Sequence, residues 1–167
     1  MEQTISAIRE TAEKFFDACE SGRGWEGCKQ YCRPGATFSA QAAALTGVNT
    51  VEAYTNWMQG MYTPMPDARY EVKSFAVDEQ RNNVTAVGVF KATHTGNGGP
   101  VPPTGKKLEA DYVYVMDFEG NQIKHMTKIW NDGHSLQQLG WTGLTNAIRV
   151  SFVSRTAGLA IRRRGNL

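Results

Sequence analysis

The sequence has few cysteines, no long apolar run and little excess charge, and each of these absences excludes a class of protein. Its 167 residues include three cysteines, and an odd number without a secretory signal favours reduced thiols over a disulfide framework. No apolar run approaches the roughly 20 residues that a membrane-spanning helix needs. The amino terminus also lacks the apolar stretch of a signal peptide. We therefore expect a cytoplasmic protein that does not act at a membrane.

Charge is nearly balanced overall but is unevenly distributed. The chain has 18 basic and 16 acidic residues, for a net charge of +2, which does not suggest a nucleic-acid binder. The last acidic residue is Asp132, and residues 133–167 contain only basic charges. Hydrophobic residues make up 41% of the chain, enough for a packed core. We predict one domain over residues 1–141 and a basic extension over residues 142–167.

The extension has no clear conformation, because its apolar residues fit either a strand or a helix. The run Arg162-Arg163-Arg164 could bind phosphate or an anionic surface. A solvated tail is the simpler interpretation.

Apolar periodicity predicts three helices in the first part of the chain. One apolar stripe lies in the first twenty residues, at spacings of three and four: Ile5, Ile8, Ala12, Phe15, Phe16 and Cys19. A short second helix holds Trp25 and Cys28 and ends at Pro34-Gly35, with residues 36–45 extended. The third helix begins with Asn49 as its cap and Glu52 as the capping-box partner.

After residue 67 the period changes from helix to strand. Consecutive strands with short links predict an antiparallel meander over residues 70–77, 84–95, 108–118 and 123–132. A loop rich in Gly and Pro spans residues 96–105, and a short closing helix is expected over residues 135–139. Helices followed by a meander indicate an α+β fold, in which a twisted sheet over helices leaves a cavity for a small ligand.

Strand alternation predicts which side chains face this cavity, because successive side chains point to opposite faces. In the last strand Lys124 and Lys128 share one face, which we assign to the outside. His125, Thr127 and Asn131 would then point inward. The inner faces of the two preceding strands would hold Val84, Ala86, Phe90, Ala92 and His94, and Leu108, Ala110, Tyr112, Tyr114 and Met116.

Four short segments resemble the SnoaL-like polyketide cyclases of the nuclear-transport-factor-2-like, or cystatin-like, superfamily. They are Thr93-His94-Thr95-Gly96, Pro102-Pro103-Thr104-Gly105, Trp130-Asn131-Asp132 and Leu136-Gln137-Gln138-Leu139-Gly140. The resemblance covers roughly residues 4–141. It implies a conical α+β barrel of three N-terminal helices on a curved antiparallel or mixed sheet. It also implies a homodimer through the outer sheet face, a small hydrophobic molecule in the cavity, and no metal or organic cofactor.

The resemblance implies that an aspartate near the end of the last strand acts as the acid/base of an aldol closure, as in SnoaL-like cyclases. By count, that position falls on Asn131, whose amide cannot abstract a proton. Asp132 takes the role if a bulge turns it inward. His94 and His125 would donate hydrogen bonds to the enolate, with Asn131 as an orienting group.

The candidate substrate-binding residues are Asn131, Thr127, Tyr112, Trp57 and Tyr54. Aromatic side chains on the helix that covers the cavity suit a flat ligand. Glu109 and Asp111 are the carboxylates to consider next. The histidines and Asp132 also allow a metal site, but their spacing matches no known ligand pattern.

Three functions remain open at this point. The first is a cofactor-independent cyclase, isomerase or dehydratase acting on a hydrophobic carbonyl compound. The second is a non-catalytic binding protein with the same fold, which Asn131 at the base position favours. The third is an interaction module that uses Met126, Lys128 and Trp130 on the outer sheet face together with the basic tail.

Overall fold

The computed structural model describes residues 2–142, and within them it confirms the predicted α+β fold. Four helices and five strands occur in the order α1 Glu2–Glu20, α2 Gly24–Cys28, β1 Cys32–Ala40, α3 Val51–Met61, β2 Arg69–Asp78, β3 Asn83–Thr93, β4 Lys107–Glu119, β5 Gln122–Trp130 and α4 Asp132–Leu139. Nearly all of the predicted basic extension lies outside the described residues.

The five strands form one mixed sheet that is open rather than closed into a barrel. Their order is β1-β5-β4-β3-β2. The meander from β2 to β5 is antiparallel, as predicted, and β1 adds to it as a parallel neighbour of β5. Helices α1, α3 and α4 pack against the sheet. The cavity is therefore bounded by one sheet face and the helices over it.

The first and third helices follow the predicted apolar stripes. In α1 the stripe residues Ile8, Ala12, Phe15, Phe16 and Cys19 are all buried. Helix α3 begins one residue later than expected, because Thr50 rather than Asn49 is its cap. The Thr50 hydroxyl accepts a hydrogen bond of 3.1 Å from the backbone N–H of Ala53, which satisfies one free donor of the first turn.

The prediction for the second helix was wrong at its carboxyl end. Helix α2 ends at Cys28, a 3₁₀ turn follows over Lys29–Tyr31, and strand β1 has already begun at Cys32. Pro34 therefore lies within a strand instead of ending a helix. The strand tolerates it because β1 is an edge of the sheet, where a missing N–H need not break a ladder.

All three cysteines are buried free thiols, as the sequence indicated. Cys19, Cys28 and Cys32 are each at most 3% exposed. They pack in the core as small hydrophobic side chains.

The face assigned to β5 was wrong, and a bulge explains the error. In the β4–β5 ladder Asp117 pairs with His125, whereas Phe118 pairs with Ile123, so Lys124 is an extra residue on β5. Ile123 and Met126 both point into the core and are fully buried. Beyond the bulge, the inward face therefore holds Met126, Lys128 and Trp130. The interaction surface that was predicted from these three residues on the outer sheet face is therefore wrong.

Candidate active site

A cavity lies between the inner sheet face and the helices, as the fold predicted. The volume of this cavity that is open to the centres of water molecules is about 70 Å³. This is several times the roughly 10–15 Å³ that one water needs by the same measure. Its walls are mostly apolar side chains of α3, β3, β4, β5 and α4, with the backbone of the loop 96–105 at one side. One acidic and one basic side chain, Glu20 and Lys128, lie among these walls.

Glu20 is the buried carboxylate of this cavity. It ends α1 and is 1% exposed. The Tyr112 hydroxyl donates a 2.7 Å hydrogen bond to Oε2, and the Tyr114 hydroxyl donates to Oε1. Burial raises the pKa of the Glu20 carboxyl above its usual range, although the charge of Lys128 and the two tyrosine hydrogen bonds oppose the shift. A raised pKa moves a carboxylate toward the range useful for proton transfer at neutral pH.

Lys128 is the buried amine of the same cavity. Its side chain extends from β5 and the residue is 6% exposed. Five aromatic rings surround Nζ, with centroids 4.6–5.8 Å away: Tyr54, Trp57, Tyr112, Tyr114 and Trp130. Burial lowers the pKa of Lys128 to about 8, and the charge of Glu20 opposes this shift.

Two tyrosine hydroxyls connect the amine to the carboxylate. Lys128 Nζ donates a 2.8 Å hydrogen bond to the Tyr54 hydroxyl. Tyr54 and Tyr114 share a hydrogen bond of 2.5 Å, and Tyr114 then donates to Glu20. With Tyr54 as its donor, this chain runs in one direction from cation to anion. Moving one proton along each link converts the charged pair into a neutral amine and a neutral acid.

His94 is fully buried one residue beyond the end of β3, but it is not among the residues that line the cavity. Its Nδ1 accepts hydrogen bonds from the Trp141 indole at 3.0 Å and the Thr104 backbone N–H at 3.3 Å. The proton of a neutral ring therefore resides on Nε2, which has no partner. A Cβ placed on Gly99 would lie 2.8 Å from Nε2, so the loop 96–105 covers this atom. Burial lowers the pKa of His94 and keeps the ring neutral. Its catalytic role stays a prediction.

Asn131 is the cap of α4, and Asp132 accepts hydrogen bonds from the backbone of two segments. Asp132 accepts from the Ala44 N–H and from the Gly133 N–H, each at 3.0 Å. Asn131 is exposed and accepts from the His134 N–H at 3.0 Å. Neither side chain lines the cavity. The assignment of Asp132 as the base is untested and stays a prediction.

The other candidate residues lie either around the buried amine or on the outer sheet face. Tyr54, Trp57 and Tyr112 surround the buried amine, and Trp57 and Tyr112 also line the cavity. Their role in substrate binding stays a prediction. His125 and Thr127 lie on the outer face instead, because the bulge in β5 reverses the inferred orientation. There His125 Nδ1 is 2.7 Å from the Thr37 hydroxyl, and Nε2 is 3.1 Å from Thr127 Oγ1.

The remaining carboxylates considered from the sequence, Glu109 and Asp111, are exposed on β4. Asp111 pairs with Lys73 at 2.8 Å. Between residues 2 and 142, no three histidine, cysteine, aspartate or glutamate side chains are grouped so that they could hold a metal ion. The helices of that same stretch include none with the length and apolar character needed to cross a membrane.

Sequence reasoning missed the carboxylate and the amine of the cavity. Glu20 follows Phe16 by four residues, so it continues the apolar stripe of α1 with a carboxylate. That break in the pattern was an available signal for a buried acid. In the predicted strand, Lys128 lay on the same face as the apolar residues Met126 and Trp130. This pattern was the available signal for a buried amine.

The comparisons agree with this fold and with the resemblance seen in the sequence. The family model of the SnoaL-like polyketide cyclases matches residues 10–139. The chain therefore belongs to this family. A search among curated proteins gave no match.

Solved structures with the same fold have low sequence identity to this chain. AclR of Streptomyces galilaeus, a proposed hydroxylase, superimposes with a TM-score of 0.66 at 20% identity, covering 81% of this chain and 97% of its own. A proposed SnoaL-like polyketide cyclase of Jannaschia sp. CCS1 gives 0.66 at 17% identity, with 81% and 93% covered. IdmH of Streptomyces antibioticus, a proposed polyketide cyclase, gives 0.64 at 20% identity, with 80% and 98% covered.

Proposed function

We propose that this protein is a cofactor-independent proton-transfer enzyme that acts on a hydrophobic, polyketide-like carbonyl compound. Cyclisation is the reaction class that its family suggests, and isomerisation and dehydration begin with the same proton removal. The observation that carries the proposal is a buried carboxylate, Glu20, in the wall of a mostly apolar cavity. A carboxylate shielded from water is suited to removing a proton next to a carbonyl group.

In this proposal Glu20 is the base and its neighbours stabilise the enolate. The amine of Lys128 carries positive charge into the same cavity, and a preorganised cation stabilises developing negative charge strongly where water is excluded. Tyr112 and Tyr114 hold the carboxylate through its two oxygens. The aromatic walls and the loop 96–105 would bind the flat apolar part of the substrate.

Proton removal can be measured without knowing the natural product of the reaction. The full chain is incubated in D₂O with acetophenone, and NMR follows exchange of the methyl protons next to the carbonyl. We expect acceleration by the wild-type protein and a loss of about 10²–10⁴-fold in Glu20→Gln, the usual contribution of a general base. Asp132→Asn and the exposed Glu109→Gln serve as matched controls and should retain the rate.

The opposite pattern would overturn the assignment of the base. If Asp132→Asn abolishes exchange while Glu20→Gln retains it, the aspartate predicted from the sequence is the base. If acetophenone binds without any exchange above background, the chain is a binding protein of the same fold.

We also propose that the protein acts as a homodimer in the cytoplasm, joined through the outer sheet face. Ile129 on this face is 61% exposed, so it is available for an apolar contact with a second copy. The free thiols suit a reducing compartment. Sedimentation equilibrium of the full chain tests the assembly, and a monomer at micromolar concentration would refute it.

A further inference from the structure

Lys128 differs from every other lysine of this chain. All eight lysines lie within the described residues, and Lys128 alone is buried. The others lie on the surface; Lys91, for example, pairs there with Glu71 at 2.8 Å. Lys128 instead places its amine in the wall of an apolar cavity that also contains the carboxylate of Glu20. An amine desolvated in an apolar pocket is a setting in which lysine acts as a nucleophile.

We propose that Lys128 is a covalent catalyst whose amine forms an imine with the carbonyl carbon of the substrate. The inference deepens the function proposed above and rests on it, since it assigns the substrate a ketone or aldehyde group at Nζ. The apolar walls hold the carbonyl compound against the amine, and they limit the water that would hydrolyse the imine.

The chemistry balances without any further reactant. The lone pair of neutral Nζ attacks the carbonyl carbon, and the carbonyl oxygen takes a proton to give a carbinolamine. Loss of one water, formed from that oxygen, one amine hydrogen and a proton from the Glu20 carboxyl, leaves a C=N bond with a protonated nitrogen. Proton removal from the neighbouring carbon by Glu20 then gives an enamine, which can close a ring on a second carbonyl. Hydrolysis by one water returns the ketone and the free amine.

The chain of hydroxyls supplies the proton transfers that these steps need. Nζ donates a 2.8 Å hydrogen bond to the Tyr54 hydroxyl, and the hydroxyl oxygens of Tyr54 and Tyr114 are 2.5 Å apart. The Tyr114 hydroxyl then donates to Glu20. A proton that leaves the ammonium can therefore pass to the carboxylate within the protein. The same path returns it to the departing oxygen, so the site cycles without proton exchange with bulk water.

The lowered pKa of Lys128, about 8, supports this assignment. At pH 7 the neutral fraction of such an amine is about 300-fold larger than that of an ordinary lysine. The titratable groups that face it come from three elements: Cys19 and Glu20 on α1, Tyr54 on α3, and Tyr112 and Tyr114 on β4.

Reductive trapping tests the proposal directly. The full chain is incubated with benzaldehyde and cyanoborohydride, and peptide mass mapping locates the benzyl group. Benzaldehyde has no proton next to its carbonyl, so trapping reports the amine alone. Among the lysines, we expect Lys128 to be labelled fastest, with a rate that rises with pH to a midpoint near 8 because only the neutral amine attacks.

Matched variants separate this reaction from surface labelling. Lys128→Arg keeps a positive charge but forms no stable imine, and it should lose the adduct. Lys124→Met removes an exposed lysine of the same strand and should retain the adduct. Mapping of the wild-type chain does not depend on how well either variant folds. Labelling confined to surface lysines, with Lys128 unmodified in the wild type, overturns the proposal.

Together the two experiments distinguish failure of the imine from failure of the proposed function. Exchange of acetophenone protons that depends on Glu20, without an adduct on Lys128, overturns the imine and leaves the proton-transfer function intact. An adduct on Lys128 without exchange supports the reactive amine and refutes the proton-transfer function.

Discussion

Replacing Lys128 by methionine is expected to lower the free energy of unfolding by about 3–5 kcal/mol at pH 7, because removal of one buried partner leaves the other charge uncompensated. Glu20 loses the positive charge that opposes the rise of its pKa and must be protonated or remain an isolated anion in the core. Urea unfolding followed by circular dichroism measures the loss.

A double-mutant cycle then tests whether the two groups act as a pair. Glu20→Gln combined with Lys128→Met removes both charges, so we expect the double variant to lose less than the sum of the single losses, by about 1–3 kcal/mol. The exposed pair of Glu71 and Lys91 is the matched control, and its removal should change stability little. Additive losses at Glu20 and Lys128 would show that the tyrosine chain does not couple them.

The second large effect is expected at Phe16, whose ring supports the tyrosines that hold Glu20. Its centroid lies 5.4 Å from Tyr114, 5.9 Å from Tyr112 and 5.5 Å from Tyr70. The side chain is 1% exposed, so Phe16→Ala opens a cavity in the core. We expect a loss of about 3–5 kcal/mol and a decrease in Tm of roughly 10 °C, measured by calorimetry.

Phe75 provides the control for this substitution. It contacts Phe16 with a centroid distance of 5.4 Å but is only half-buried on β2. Phe75→Ala should therefore lower Tm by clearly less than Phe16→Ala. Equal decreases in Tm for the two variants would mean that Phe16 contributes no more to stability than the half-buried Phe75.

Much of the fold could be predicted because it depends on local periodicity. The stripe of α1 and the alternation of β3 and β4 each describe one element, and their side chains are buried as expected. The pairing of β1 with β5 could not be predicted in this way. It joins strands far apart in sequence, and Pro34-Gly35 obscured the start of β1.

The candidate site was predicted less well because it depends on register and on long-range contacts. One bulged residue, Lys124, turned His125 and Thr127 outward and Lys128 inward, and strict alternation has no means of showing that. The burial of Glu20 depends on hydroxyls from β4. A periodic pattern marks the face on which a side chain lies, but it does not identify the partners that stabilise a buried charge.

The parallel pairing of β1 with β5 has a consequence for the order in which the protein is assembled during synthesis. The edge strand that follows the second helix has no neighbour in the sheet until the ribosome has released the last strand of the meander. The buried acid likewise meets its amine only at that stage. A nascent chain that stops before residue 122 therefore exposes an unpaired strand and an incomplete hydrophobic core. We expect it to depend on chaperones until the final strand has been synthesised.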